Sequence, residues 1–297
     1  MRLVRLFILA SLIATAAHAA EITTARGTVD IPEAPKRVAV FDLAALDTLD
    51  RLGIKPTGVP KTLYLPQLEH LKSEAEAVGD IFEPDLEALS ALDPDLIVLG
   101  GRSSPKLAST ERVATSIDMT MDGDDLVEQA KLRLHDYGTL FGKQAEAKSI
   151  SAEFDREIDA TRNAVAGKGK VLIVMTNGPK ITAYGPGSRF GWVHATLSLP
   201  PAVTAMQAAT HGEAVSFEFI HKANPDWLLV VDRAAAIGSG EQGARATLDN
   251  ELVASTTAWQ KDQVVYLPAA DFYIAAGGVQ ATQRVLATIR EAFSAAQ

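Results

Sequence analysis

The 297-residue sequence contains no cysteine. That excludes disulfides, thiol nucleophiles, thiolate metal sites and a lipid-modified cysteine. After the first residues no run approaches the roughly 18 consecutive apolar residues of a membrane-spanning helix. Aromatic residues are scarce, at 6%, and positive charge is outnumbered, with 28 Lys and Arg against 37 Asp and Glu. The resulting formal charge of −9 argues against nucleic acid and against anionic lipid surfaces as partners. Gly-x-Ser-x-Gly, His-Glu-x-x-His and the phosphate-binding glycine loop are also missing. An exported hydrolase or metalloenzyme therefore stands only as an alternative, with no motif in its favour.

The chain begins with a pattern of targeting. Arg2 and Arg5 form a basic start, Leu6 to Ala16 an apolar stretch, and Ala17-His18-Ala19 a small-x-small cleavage site. Residues 1–19 are expected to be a signal peptide, leaving a soluble periplasmic protein that is not a lipoprotein. Loss of the two arginines takes the formal charge to −11. The remaining length suffices for two ordinary domains.

One stretch occurs twice. Glu87, Pro94-Asp95, an apolar run Leu96–Leu99 and Arg102 are matched by Glu218, Pro225-Asp226, Leu228–Val231 and Arg233, with Glu, Pro, Asp and Arg all offset by 131. Helix, turn and buried strand recur by chance in α/β proteins, but four positions at one offset favour two similar halves. Arg102 and Arg233 would then leave equivalent strand ends and face one cleft, where open α/β sheets bind ligands. The alternative for each is a solvated charge closing a strand.

Taken in order, residues 21–32 read as a hairpin turning near Gly27. Arg37–Asp42 is a buried strand, Leu43–Leu52 a helix stopped by Gly53, and Thr57–Val59 a second strand. The alternation predicts a mainly parallel sheet with helices on both faces in each half. Leu126, Ala130, Leu134, Tyr137 and Phe141 mark one helix face, and Ala147, Ile150, Phe154 and Ile158 another. From Lys143 to Ala166 the second helix would be about 36 Å long, enough to cross a lobe and hold two lobes in a nearly fixed relation. The expected division is a lobe at 20–142, a connecting helix at 143–167 and a lobe at 168–297. In the second half, a strand at Lys170–Met175 precedes a glycine-rich loop from Tyr184 to Gly191. A strand at Gln263–Leu267, a loop at Asp271–Tyr273 and a final helix after Gly277-Gly278 complete the chain.

The strings His211-Gly-Glu-Ala-Val-Ser-Phe-Glu218, Val231-Asp-Arg233, Thr247-Leu-Asp-Asn250 and Tyr273 before Gly277-Gly278 resemble the catecholate-siderophore binders among periplasmic binding proteins of class III. The resemblance covers nearly all of the chain beyond residue 19. It implies two Rossmann-like lobes joined by a single long helix, no catalysis, no intrinsic cofactor, and a ferric siderophore delivered by a monomer to an ABC importer. It implies Arg102, Arg189 and Arg233 around the ligand, and His211 and Tyr273 completing the iron shell where the siderophore leaves positions open. It also implies that Glu87 and Glu218, one per lobe, dock on the permease dimer; the plainer alternative is that they are helix-start acids favoured by the dipole.

The chemistry fits these residue types. A ferric ion wrapped by three doubly deprotonated catechols carries three net negative charges on its oxygens. Arginine donors are planar and always charged, so three would match that charge without titrating. Charge-assisted bonds of this kind contribute about 1.5–3 kcal/mol each. Arg189 sits among glycines that allow close approach to a ligand, although a surface turn would use them too. His211 and Tyr273 offer an imidazole and a phenolate for a ferric ion. His70, His135, His194 and His221 show no ligand spacing. Haem, cobalamin and hydroxamate siderophores remain alternative ligands within the class.

Overall fold

The computed structural model describes residues 19–296 except 33, 122, 205, 207 and 208. Residues 1–18 of the expected signal peptide lie outside the described residues. Among those described, no helix is long and apolar enough to cross a membrane.

Strands β1 (Ala19–Thr24) and β2 (Gly27–Pro32) form the expected hairpin, with Gly27 at positive φ in its turn. The first lobe then builds β3 (Val38–Val40), β4 (Gly58–Val59), β5 (Glu76–Ala77), β6 (Leu96–Leu99) and β7 (Ser116–Asp118). These lie in the order β5-β4-β3-β6-β7 and every pair is parallel. The second lobe has β8 (Val171–Asn177), β9 (Lys180–Tyr184), β10 (Glu213–Val215), β11 (Trp227–Asp232) and β12 (Val264–Tyr266). Its order is β10-β9-β8-β11-β12. Here β8, β11 and β12 pair in parallel, and β9 alone is reversed, antiparallel to both β8 and β10, because β8 returns directly through a tight turn at Gly178. The expectation of a mainly parallel sheet holds for every pairing in the first lobe and, in the second, for the direction of every strand but β9.

The repeat at an offset of 131 extends to backbone details. Helices Leu86–Leu92 and Phe217–Ala223 begin at Asp85 and Ser216, whose side chains accept backbone N–H bonds of the first turn. They end at Asp93 and Asn224, both in the left-handed conformation that closes a helix. The Asp95 carboxylate then accepts the N–H groups of Lys36 and Arg37, and Asp226 accepts that of Lys170. Each aspartate thus ties its turn to the start of the neighbouring strand.

The connecting helix runs Gln144–Val165, about 33 Å, and buries the expected Ala147, Ile150, Phe154 and Ile158. Ala147 and Ile150 pack into the first lobe's core, Phe154 and Ile158 into the second's. The C-terminal helix Val279–Ala295 lies along it and returns to the first lobe. Val279 N–H bonds Thr48 Oγ1, Ala281 N–H bonds the buried Asp47 carboxylate, and Arg284 pairs with Asp47 at 2.9 Å. One helix carries the covalent connection, and a second one bolts it.

Candidate ligand-binding cleft

Tyr273 was expected in a loop but ends a short helix, Ala269–Tyr273. Packing explains the order. Phe272 is buried, stacked on Phe190 with ring centroids 4.4 Å apart and tilted against Trp192 at 5.8 Å. Asp271 is buried as well and receives two bonds from Arg284, at 2.8 and 3.1 Å. The tyrosine between these anchors and the cleft has little freedom.

Three guanidinium groups converge on it. The Arg102 and Arg189 Cζ atoms each lie 4.9 Å from the Tyr273 ring centroid, and that of Arg233 lies at 6.0 Å. Arg233 Nε donates to the Tyr273 hydroxyl at 3.3 Å and its Nη1 to Asn177 Oδ1 at 2.8 Å. Arg102 crosses from the first lobe and donates to the Tyr273 carbonyl at 3.2 Å. Burial and then the charge of Arg102 lower the Arg189 pKa. Burial works to raise the Tyr273 pKa, but the Arg233 hydrogen bond and the charges of Arg102 and Arg189 outweigh it, leaving the phenol below its ordinary value. Tyr184, close by, is pushed up to about 12 by burial. The site is therefore a concentration of positive charge able to hold an anion and to stabilise a phenolate.

Between the lobes a cavity of about 60 Å³ is lined by Asp42, Gly101, Arg102, Thr120, Arg189 and Tyr273. In the sequence Asp42 is only the end of a strand. It caps the helix Leu43–Arg51 and is pushed up to about 6 by burial, against the opposing pull of the Ala44 and Ala45 N–H groups and Arg102.

The glycines around Arg189 have a use the sequence did not disclose. Gly187 N–H donates to both oxygens of Asp124, at 2.9 and 3.1 Å. A Cβ on Gly191 would run into the same carboxylate. The loop is glycine-rich where it seats an aspartate from the segment before the helix Leu126–Leu140, rather than for ligand approach alone. A carboxylate more than sixty residues away leaves no local signal.

The structure thus brings Arg102, Arg189, Arg233 and Tyr273 together. His211 is exposed in the turn before β10, tied to the cluster through backbone, since Arg189 N–H donates to the Thr210 carbonyl at 3.2 Å. Glu87 and Glu218 are exposed in the first turns of their equivalent helices. His194 is buried, with Nδ1 3.0 Å from the Leu199 carbonyl, while the His70 ring contacts Asp50 and the His221 ring Ser255. Among the described residues no group of three or more His, Cys, Asp or Glu side chains could hold a metal ion.

Residues 38–270, most of the chain, match the family model described as periplasmic binding protein. The chain belongs to the periplasmic binding protein family. This binding protein is 34% identical over 265 residues to the petrobactin-binding protein YclQ of Bacillus subtilis, covering 88% of this chain and 83% of that one. It is 30% identical to the ferric-anguibactin-binding protein FatB of Vibrio anguillarum, with the same coverage of each chain. The crystal structure of the periplasmic catecholate-siderophore binding protein VctP from Vibrio cholerae superposes with a TM-score of 0.86 at 29% identity, covering 92% of this chain and all of that one. The fold is the class III arrangement, and the family and these relatives are binding proteins rather than enzymes.

Proposed function

We propose that this binding protein captures a ferric catecholate siderophore between its lobes and delivers it to an ABC importer. The observation that carries the reading is the convergence of Arg102, Arg189 and Arg233 on Tyr273, three permanent cations able to match a trianionic complex. The ligand names of the relatives point the same way. A cavity of about 60 Å³ lies well below the roughly 300–1,000 Å³ of small-ligand pockets. The cavity is lined by Arg102, Arg189 and Tyr273 but not by Arg233, so in this reading it is one part of the cleft and the complex extends beyond it toward Arg233.

In this reading, residues 20–142 and 168–297 act as the two jaws about the connector 143–167. A hexadentate siderophore fills the iron's six positions itself; a tetradentate bis-catecholate leaves two for the His211 imidazole and the Tyr273 phenolate. Glu87 and Glu218 meet the two permease subunits, and the protein works as a monomer in the periplasm, exported by residues 1–19 and without a lipid anchor. Replacing both glutamates with arginine would then abolish uptake in cells and leave binding intact; unchanged uptake removes them from the docking surface.

Trp192 packs against Phe272, the neighbour of Tyr273, so tryptophan fluorescence is a natural reporter. Titration with ferric tris-catecholate, ferric bis-catecholate, ferric hydroxamate and haem should show tightest binding for the catecholates. His211→Ala and Tyr273→Phe should weaken the bis-catecholate strongly and the tris-catecholate little. Preference for haem or hydroxamate would overturn the ligand class, and equal losses for both catecholates would overturn the iron-ligand roles.

A further inference from the structure

Arg102 is the first lobe's contribution to the cluster, and it stands on a short turn rather than on a helix or strand. Gly101, immediately before it, has a positive φ of 51°. The turn closes on itself through Ser103, whose N–H and hydroxyl both donate to the Gly100 carbonyl. Besides the Ser104 hydroxyl, which reaches Asp118, a backbone bond fixes its position on the lobe: Gly101 N–H donates to Thr120 Oγ1 at 2.8 Å.

That hydroxyl is itself held. Thr120 Oγ1 donates to Asp118 Oδ1 at 2.5 Å, which turns its lone pairs toward Gly101. Asp118 is buried, at 1% exposure, and its two oxygens are fully engaged. Oδ1 also accepts the Thr120 N–H at 3.1 Å. Oδ2 accepts the Ser104 hydroxyl at 2.6 Å and Arg26 Nε at 2.9 Å. Although burial alone would raise its pKa, the bonds from Ser104, Thr120 and Arg26 hold the carboxyl below its ordinary value. Arg26 lies in the turn of the N-terminal hairpin, and Ala25 N–H donates to the Asp118 carbonyl at 2.8 Å.

We infer that Asp118 and Thr120 are positioning residues for Arg102, and that the N-terminal hairpin, through Arg26, belongs to the binding apparatus. The inference rests on the reading of Arg102 as a ligand-binding residue. A buried carboxylate with every lone pair directed is rigid, and rigidity passes through the threonine hydroxyl to the turn that aims the guanidinium. An anion receptor gains affinity from such preorganisation, because the arginine need not be ordered when the ligand arrives.

The test is a double-mutant cycle using a hexadentate ferric tris-catecholate as probe. Asp118→Ala and Thr120→Val should each weaken binding about tenfold with Arg102 present. In an Arg102→Gln background the same substitutions should change affinity less than about twofold. Thr120→Ser, which keeps the hydroxyl, should restore wild-type affinity, and Arg26→Ala should give a smaller loss than Asp118→Ala. Equal losses in both backgrounds, or no loss with Arg102 present, overturn the inference. Should Asp118→Ala not fold, the Thr120→Val and Thr120→Ser pair carries the cycle. A separate readout needs no ligand: the Gly101 amide should exchange its hydrogen about tenfold faster in Thr120→Val than in wild type. Unchanged exchange overturns the positioning role. If Arg102→Gln binds as wild type, the reading of the cleft falls, while the exchange measurement still decides whether Thr120 holds the turn.

Discussion

The two lobes repeat a helix, a turn and a buried strand at one offset, yet they treat the arginine that follows differently. In the first lobe Arg102 stands on a glycine turn with the Asp42 carboxylate near it and the Asp118–Thr120 network behind it. In the second, Arg233 starts the helix Arg233–Ile237 directly after β11, and its nearest fixed partner is the neutral Asn177 amide. The second lobe also adds Arg189 and Tyr273, which have no counterpart in the repeated segment. Duplication of a scaffold therefore supplies a pair of facing charges, and the departures from it supply the binding centre. The antiparallel β9–β10 pair, absent from the first lobe, ends where the Arg189 loop starts.

That asymmetry can be broken most severely from beneath. Arg284 holds both Asp271, two residues before Tyr273, and Asp47 of the first lobe. Arg284→Ala would leave two buried carboxylates without their cation, and a loss of about 3–5 kcal/mol in folding stability is expected by chemical denaturation. The exposed pair Lys72–Glu69 is the control, where Lys72→Ala should cost less than about 1 kcal/mol. A similar small loss for Arg284→Ala would mean that the bolt between the lobes contributes little.

Single substitutions sharpen the comparison. Arg102→Gln and Arg233→Gln should each weaken ferric tris-catecholate binding by about 1–3 kcal/mol, with the greater loss at Arg233, because Asp42 already offsets part of the field of Arg102. The Arg189 variant should fall in the same range, and the three should not add, since they share one ligand. A titration in which Arg102 matters more than Arg233 would remove Asp42 from the account.

Asp42 also gives the comparison a pH dependence. Burial holds the folded-state pKa of Asp42 up at about 6, above the ordinary carboxylate value of about 4, so its stabilising contribution is complete below about pH 4 and is lost as pH rises through 6. Asn keeps the helix cap but cannot ionise. Asp42→Asn should therefore gain about 2 kcal/mol relative to wild type between pH 4 and pH 7, read from the melting temperatures of the two proteins at each pH. A constant difference would show that Asp42 titrates normally in the folded chain.

By itself the sequence determined the repeated unit, the connecting helix and four members of the cleft cluster. The first two are written locally, in caps and closing residues at Asp85, Asp93, Ser216 and Asn224 and in a 3.6-residue period at Ala147, Ile150, Phe154 and Ile158. Arg102 and Arg233 stand at strand exits, whereas Arg189 and Tyr273 were implied by the resemblance to catecholate-siderophore binders. His211, implied by the same resemblance, is exposed in the turn before β10 and linked to Arg189 through the Thr210 backbone. Only the tertiary structure decided what holds those groups in place. Asp124 meets Gly187, Asp47 meets Arg284, and Arg26 of the hairpin meets Asp118 across 92 positions. A hydrogen bond between distant residues requires complementary groups at one point in space, and a single sequence has many aspartates and arginines that could satisfy it. Chain packing selects among them, so the aim of each arginine belongs to the fold although its identity belongs to the sequence.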